Sequence, residues 1–385
     1  MTEPIYLDHA ATTPIAPEVL DAMLPFLRDE FGNPSSIYEL ARGARRALDD
    51  ARESVAEILG ARPGEIVFTS GGTESINLAL KGRCGAAGPK KPHIVTSSVE
   101  HLAVLNTCAY LERHGFWTTH APVDRHGQID PEAVLAAVAP ETAVVSLQHA
   151  NNEIGTIQPI ERLARALRER GVPLHVDACQ SAGTLPIDVE RLGVDFLSLT
   201  AHKMYGPKGI GVLYTRRGVA YHPTAHGGSN ERGRRAGTEN VPGVVGLAAA
   251  LRLASSGRDA NNAYLGALAS TLIDAILARV AGARLTGHPR DRLPNFASFV
   301  IEGIEGESML LALDARRVYA SSGAACTSGT LDPSHVLTAI GLPADLAHGS
   351  LRMTVGLTNT PEQIERAIEH LVAVVERLRA LGHRR

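Results

Sequence analysis

The sequence predicts an α/β protein, with a large domain built on a mostly parallel sheet and a smaller α+β domain after it. Three observations carry this. Short apolar runs alternate with segments of helical spacing through the first two-thirds of the chain, which is the pattern of βα units. The runs are continuously apolar, as strands buried on both faces are. Past about residue 256 the alternation stops, and helix and strand patterns of another kind follow.

APEVLDAMLPFLRDE (16–30) and the stretch 37–59 have helical spacing. Apolar runs then fall at EIVFTS (65–70), HIVTS (93–97), AVVSLQH (143–149), PLHVDA (173–178), VDFLSLT (194–200) and IGVLYT (210–215). Helical segments at 101–114, 131–139 and 161–170 lie between them. SSGRDANN (255–262) reads as a polar turn, before a helix over about 262–280 and strands at 297–302 and 316–321. The last helix has Thr360 as N-cap, Pro361 at its first position and Gln363 to complete a capping box. Its apolar stripe is Ile364, Ile368, Leu371, Val375 and Leu378, and Gly382 ends it. This divides the chain into a large domain at 15–257 and a small one made of 1–14 and 258–385.

Composition removes several function classes. The 385 residues are 44% hydrophobic and 21% charged, which excludes disorder as the main state. A net charge of −3 argues against a dedicated nucleic-acid binder. No apolar run reaches the roughly 18 residues of a membrane helix, and MTEPIYLDHA is not a signal peptide. Cys84, Cys108, Cys179 and Cys326 are scattered with no CxxC pair, so neither a zinc site nor a disulfide framework is expected, and a reducing, cytoplasmic setting fits. No His/Cys set has metal-ligand spacing.

Of the 38 basic residues only Lys81, Lys90, Lys91, Lys203 and Lys208 are lysines. Lysine can form a Schiff base at neutral pH and arginine cannot, so a carbonyl-cofactor enzyme would have five candidates. Lys203 stands out because it follows a buried strand in VDFLSLTAHK, and open α/β sheets bind ligands beyond the carboxyl ends of their strands. A lone lysine there is ordinarily a surface residue. Asp177 ends the strand PLHVDA, 26 residues earlier, the length of a strand–helix–strand unit that can place both at one sheet edge. Pyridoxal phosphate chemistry needs that pair, a lysine to carry the cofactor and a carboxylate on its pyridinium nitrogen.

TSGGTES (69–75), between a strand and a helix, can cradle a phosphate: its glycines admit close approach, and Thr73 and Ser75 add hydroxyls. Glu74 is out of place in such a cradle. His101 opens a helix after HIVTS and could act as an acid or base over the cofactor. Asn151 and Asn152 end another strand and suit a ring hydroxyl or a substrate carboxylate. Arg352 lies in the apolar run GSLRMTVG, where it needs an anion, either a substrate carboxylate or an acidic neighbour. Cys326 sits among Ser, Gly, Ala and Thr with no aromatic to bury it, the surroundings of a reactive thiol. Cys84 in a turn, Cys108 in a helix and Cys179 beside Asp177 look inert.

These motifs together resemble the pyridoxal-phosphate cysteine desulfurases, in the group of nitrogen-fixation and iron–sulfur-cluster enzymes. The resemblance runs from YLDHAATTP (6–14) nearly to the C-terminus, through FGNPSS, FTSGGTES, EHLAVL, NNEIG, HVDACQS, AHKMYGPKGIG, ERGRRAGTEN and SSGAACTSGTLDPSHVL. It implies a fold-type-I transferase with a seven-stranded, mostly parallel sheet. It implies Lys203 as the Schiff-base lysine, Asp177 as pyridinium partner and Gln180 near the ring oxygen. Gly72, Thr73, Thr200 and His202 match the phosphate positions, and Thr238 a phosphate contact from the other subunit of a homodimer. His101 matches the ring-stacking histidine and acid/base, Asn152 and Arg352 the substrate-carboxylate pair, and Cys326 the nucleophile. L-Cysteine would then become alanine through a ketimine, leaving a persulfide on Cys326 for an acceptor such as an iron–sulfur scaffold or a thiolation carrier. No metal is implied beyond a transient iron–sulfur contact of Cys326. The family often has Thr where Cys179 stands, and its iron–sulfur-cluster members carry a longer tail than LGHRR.

Two other readings start from the same residues. A serine- or alanine-type aminotransferase, or a selenocysteine lyase, would use the same cofactor and fold. The aminotransferase would not need Cys326. A non-catalytic sulfur or metal scaffold using the 16 histidines and Cys326 would leave Lys203 and Asp177 without a role.

Overall fold

A computed structural model describes residues 3–323 and 333–382. Cys326 lies outside the described residues. The chain opens with β1 (Ile5–Tyr6), α1 (Pro17–Arg28) and α2 (Glu39–Leu59). In α2, Ala41, Ala44, Leu48, Ala51, Val55 and Leu59 recur at three- and four-residue steps and are buried as one stripe. Gly60, at φ 66°, ends the helix in the left-handed conformation glycine takes without a Cβ penalty.

The βα units follow: β2 (Ile66–Thr69), α3 (Gly72–Ala87), β3 (His93–Ser97), α4 (Leu102–Glu112), β4 (Trp117–Ala121), α5 (Pro131–Ala137), β5 (Thr142–Gln148), α6 (Ile160–Glu169), β6 (Leu174–Asp177), α7 (Val189–Leu192), β7 (Phe196–Thr200) and β8 (Gly211–Thr215). The seven strands from β2 to β8 form one sheet, in the order β2-β8-β7-β6-β5-β3-β4. β8 is antiparallel to both neighbours, and the other pairs are parallel. All but β4 are buried along their length.

β4 has no counterpart in the sequence reading. WTTHA lacks an apolar run because β4 is an edge strand paired only with β3, and Trp117 stacks its half-exposed ring on His93 at 5.3 Å. The turn expected at 255–262 is also corrected. After the one-turn α8 (Asn230–Gly233), α9 (Val241–Ser256) and α10 (Arg258–Arg279) are separated by Gly257 alone. The polar residues there are exposed or half-buried on the helices, and Asn262 donates to the Thr184 carbonyl at 2.8 Å.

The remaining elements are β9 (Ala283–Leu285), β10 (Phe296–Ile301), α11 (Gly306–Asp314), β11 (Val318–Tyr319), α12 (His335–Ala339), α13 (Ala344–Ala347), β12 (Ser350–Thr354) and α14 (Pro361–Gly382). β12, β10 and β9 form an antiparallel sheet, and β1 pairs in parallel with β11, which is shorter than the strand expected at 316–321. A core separate from that of the large sheet gathers Ile5 and Leu7 with Leu272, Phe299, Leu351 and Ile368. At the head of α14, Thr360 Oγ1 accepts the Gln363 N–H at 3.3 Å, but the Gln363 side chain accepts from Asn359 at 3.1 Å, so only half of the expected capping box forms. No described helix is long and apolar enough to cross a membrane.

Candidate active site

β2, β3, β5, β6 and β7 point their carboxyl ends to one edge of the sheet, and a cavity of about 700 Å³ opens there. That size suits a small-molecule ligand. Lys203 follows β7 on a single 3-10 turn, and its Nζ donates to Gln180 Oε1 at 3.3 Å and to the Ala10 carbonyl. Asp177, the last residue of β6, is 7% exposed and accepts the Cys179 N–H at 3.0 Å. Asp177, Gln180, Thr200, His202 and Lys203 line the cavity together.

α3 begins at the same edge. Gly71 takes φ 152° and ψ −177°, a region open essentially to glycine, and this lets the helix start directly beneath the cavity. No side chain caps α3, so the first N–H groups of a 16-residue helix, at Gly72 and Thr73, are available to an anion. Gly72 has no room for a side chain, since a Cβ would lie 2.3 Å from Cys179 Sγ. Glu74 is accounted for by its ion pair with Arg235 at 2.9 Å and by the Ser70 N–H at 2.6 Å. Ser75 turns away from the expected cradle and bonds Thr69 Oγ1 at 2.7 Å.

His101 is the N-cap of α4. Its Nδ1 accepts the Ala103 N–H at 3.0 Å, which leaves the proton of the neutral ring on Nε2. Burial lowers its pKa; Asp177 opposes this, while Lys203 and His335 add to it. His202 is driven down to about 4 by burial and then by Lys203 and Lys208. Its Nδ1 is 3.2 Å from Thr12 Oγ1.

The structure separates the two asparagines. Asn151 is buried and shapes its turn, accepting the Glu153 and Ile154 N–H groups at 2.8 and 2.9 Å, whereas Asn152 lines the cavity. Arg352 lines it too, at 4% exposure. Its guanidinium donates to the Asn152 carbonyl at 2.7 Å and to Asp8 at 2.8 Å. Asp8 is therefore the acidic neighbour, and the buried Arg352 Nε has no hydrogen-bond partner among the described residues.

Thr238 is not brought to this cavity. It lines a second one with Asn33, Arg45, Arg52 and Glu231. Cys84 lies in α3, not in a turn, and burial pushes its thiol and that of Cys108 up to about 12. The Cys179 thiol is raised well above its usual value by burial and Asp177.

Several groups lining the cavity, or buried beside it as Glu100 is, escaped the sequence reading. Glu153 has its carboxyl pushed up to about 7 by burial, against the Ser334 hydrogen bond of 2.5 Å and the charge of Arg352. Glu100 is pushed up to about 8 by burial and bonds Ser97 at 2.5 Å. Ser334 caps α12, and His335 bonds the Glu100 carbonyl at 2.9 Å. Their only sequence signal is adjacency: Glu100 and Glu153 each neighbour a predicted site residue, and Ser334 and His335 follow the Cys326 segment.

A lysine, a buried carboxylate and an open helix N-terminus thus stand together at one edge of an α/β sheet. The chain belongs to the class-V aminotransferase family, whose model matches residues 5–367. Within it the chain is 49% identical over 378 residues to the cysteine desulfurase IscS of Methanosarcina thermophila, across 98% of this chain and 93% of that protein. The cysteine desulfurase IscS of Dictyoglomus turgidum is 48% identical over 382 residues, across 99% and 97%. Among solved structures, a NifS-like protein superposes with a TM-score of 0.92 at 36% identity, covering 98% of this chain and all of that one. SspA in complex with cysteine has a TM-score of 0.82 at 38% identity, over 91% and 98%.

Proposed function

We propose that this chain is a cysteine desulfurase that binds pyridoxal 5'-phosphate at the carboxyl edge of the large sheet. It would convert L-cysteine to alanine and keep the sulfur as a persulfide on Cys326. The observation that carries the reading is the convergence of Lys203, Asp177, His101 and the uncapped start of α3 on one cavity. The residues fit the cofactor: the uncapped start of α3 at Gly72 and Thr73 offers N–H groups to a phosphate, and the Asp177 carboxylate lines the same cavity. When bound, the cofactor would supply an aldehyde for an amine and a protonated ring that draws electrons from the substrate carbons.

The chain's own residues would do the rest. The Gly72 and Thr73 N–H groups, with Thr200 and His202, would hold the phosphate. Asp177 would keep the ring nitrogen protonated, and Gln180 would face the ring oxygen. Lys203 Nζ would carry the cofactor and later move protons at the substrate's α-carbon. His101 would lie over the ring and offer its Nε2–H. Arg352 and Asn152 would hold the substrate carboxylate and so orient its Cβ–S bond. Ala10, Ala11, Ile76, Leu102 and Leu105 would keep water from the reacting atoms.

The same reading assigns Thr238 as a phosphate contact across a homodimer, and a cluster scaffold or thiolation carrier as the sulfur acceptor, in the cytoplasm. The two cores support residues 15–257 and 1–14 with 258–385 as the two domains.

The test is an absorption spectrum of the purified protein before and after L-cysteine, with sulfide and alanine assayed, for wild type and Cys326→Ala. A visible band that shifts with cysteine in both proteins, with sulfide lost in the variant, is expected. Alanine formed equally by the variant would point to another pyridoxal enzyme. No band after adding cofactor would overturn the cofactor assignment.

A further inference from the structure

Glu153 stands on the cavity wall beside the pair assigned to the substrate carboxylate, and nothing in the reaction above uses it. It follows Asn152, whose carbonyl takes the Arg352 guanidinium at 2.7 Å. The residue is 6% exposed, and its carboxyl is held in place. Ser334 Oγ accepts the Val336 and Leu337 N–H groups at 3.1 and 3.3 Å, so its own proton goes to Glu153 Oε2, at 2.5 Å. The Gly323 backbone packs on the same oxygen, where a Cβ would lie 2.7 Å away. Oε1 has no hydrogen-bond partner among the described residues, so it is the oxygen left to carry the proton of the neutral acid.

The charges in this corner leave room for one further anion. Among the described residues Arg352 is the cation that acts on Glu153, and Asp8 already neutralises it at 2.8 Å. Arg352 Nε is buried without a partner, so a donor remains for an anion although no net charge does. A substrate carboxylate at Arg352 therefore puts an excess negative charge in a buried site, and an ionised Glu153 would add a second. In the empty cavity burial pushes the Glu153 carboxyl up to about 7, while the Ser334 hydrogen bond and the charge of Arg352 pull it down. A bound carboxylate offsets the pull of Arg352 and repels a like charge, so it drives Glu153 further to the neutral form. The other titratable groups on the wall are His101, Asp177, Cys179, His202, Lys203 and His335. Burial keeps the three imidazoles uncharged and the Cys179 thiol protonated at neutral pH. Asp177 and Lys203 are the cofactor's partners.

We propose that Glu153 ties substrate binding to a proton: the cavity takes the substrate carboxylate only with Glu153 as the neutral acid, and an ionised Glu153 takes one proton from the solvent as the carboxylate arrives. This rests on the reading that places a substrate carboxylate at Arg352. The proton comes from water or buffer, and no bond of the substrate changes. Linkage then requires that affinity for a carboxylate falls with pH once Glu153 is ionised. An uncharged ligand of the same shape binds without the proton. KM for L-cysteine rises with pH on this account, while kcat keeps a profile of its own.

The test is calorimetry of the holoenzyme with 3-(methylthio)propionate, which has the carboxylate and the sulfur but neither an amine for the cofactor nor a free thiol. Titrations in phosphate and in Tris, whose ionisation heats differ, count the protons taken up per ligand. Close to one should be taken up at about pH 8.5 and almost none at about pH 5.5. Kd should rise about tenfold between about pH 8 and 9. 3-(Methylthio)propanol should bind with no uptake at either pH. Glu153→Gln, whose amide oxygen still accepts from Ser334, should bind the carboxylate with no uptake and a flat Kd. Ser334→Ala removes a hydrogen bond to the ionised form, so the onset of uptake should move to higher pH. No uptake by the wild type at about pH 8.5 would overturn the proposal, as would a carboxylate that fails to bind at about pH 5.5. Uptake that persists in Glu153→Gln, or an onset unmoved in Ser334→Ala, would assign the proton to another group and overturn it too. If the wild type forms no alanine from L-cysteine, the desulfurase reading fails, and the proton count still decides the role of Glu153.

Discussion

Replacing Gly72 with alanine tests how the phosphate cradle is built. The new methyl would sit 2.3 Å from Cys179 Sγ, against a carbon contact distance of about 3.5–4.0 Å. Either the buried thiol leaves its rotamer or the first turn of α3 retreats from the cavity. Overpacking of this kind costs about 1–3 kcal/mol. It falls on the N–H groups assigned to the phosphate, so cofactor binding should weaken by about 5- to 150-fold. Cys179→Ala removes the obstructing sulfur, so Gly72→Ala in that background should cost little. The four proteins form a double-mutant cycle with a coupling of about 1–3 kcal/mol. Titration of the apoprotein with pyridoxal phosphate, followed by absorbance, gives the four Kd values. A Gly72→Ala variant that binds like wild type would refute the reasoning, as would a double variant no better than Gly72→Ala alone.

Other outcomes follow from the same geometry. Arg52 is paired with Glu231 at 2.5 Å in a buried site where Glu231 also takes the Phe68 N–H at 3.0 Å, so Arg52→Ala should destabilise by about 3–5 kcal/mol in urea titration. Glu153, raised to about 7 from an ordinary 4.5, contributes stability that is full below pH 4.5 and is lost as pH rises through 7. Glu153→Gln should flatten that slope, by about 2–3 kcal/mol between pH 5 and 8, in urea midpoints measured across pH. Asp8→Ala should raise KM for L-cysteine about tenfold by freeing Arg352, and Asp8→Asn, which keeps an acceptor, should raise it less; steady-state kinetics separate the two.

The parts of the fold visible in the sequence are those whose burial is uniform. β2, β3, β5, β6, β7 and β8 are buried on both faces and read as apolar runs. β4 was hidden because an edge strand needs no such run, and the α9–α10 junction because polar residues on helix ends and in a turn have the same composition. Strand ends announced Lys203 and Asp177. Their partners did not announce themselves: the Ala10 carbonyl at Lys203 and Asp8 at Arg352 come together through contacts between residues far apart in the chain. Glu74 shows the converse: it is conspicuous in a phosphate-like loop, yet its partner Arg235 is 161 positions away.

The parallel pairing of β1 with β11 also sets an order of assembly during synthesis. Residues 5–6 leave the ribosome early, but their partners at 318–319 are made more than three hundred residues later. At about 5–20 residues per second that is a wait of roughly 15–60 seconds. Every strand of the large sheet has emerged well before then. β1 must therefore stay without its strand partner while the large sheet forms, and Asp8 must wait for Arg352, although Thr12 and Thr13 already have their partners at His202 and Tyr205. A nascent chain stalled before residue 318 would hold a formed large sheet with β1 still unpaired, and that interval is when a chaperone would be of most use to it.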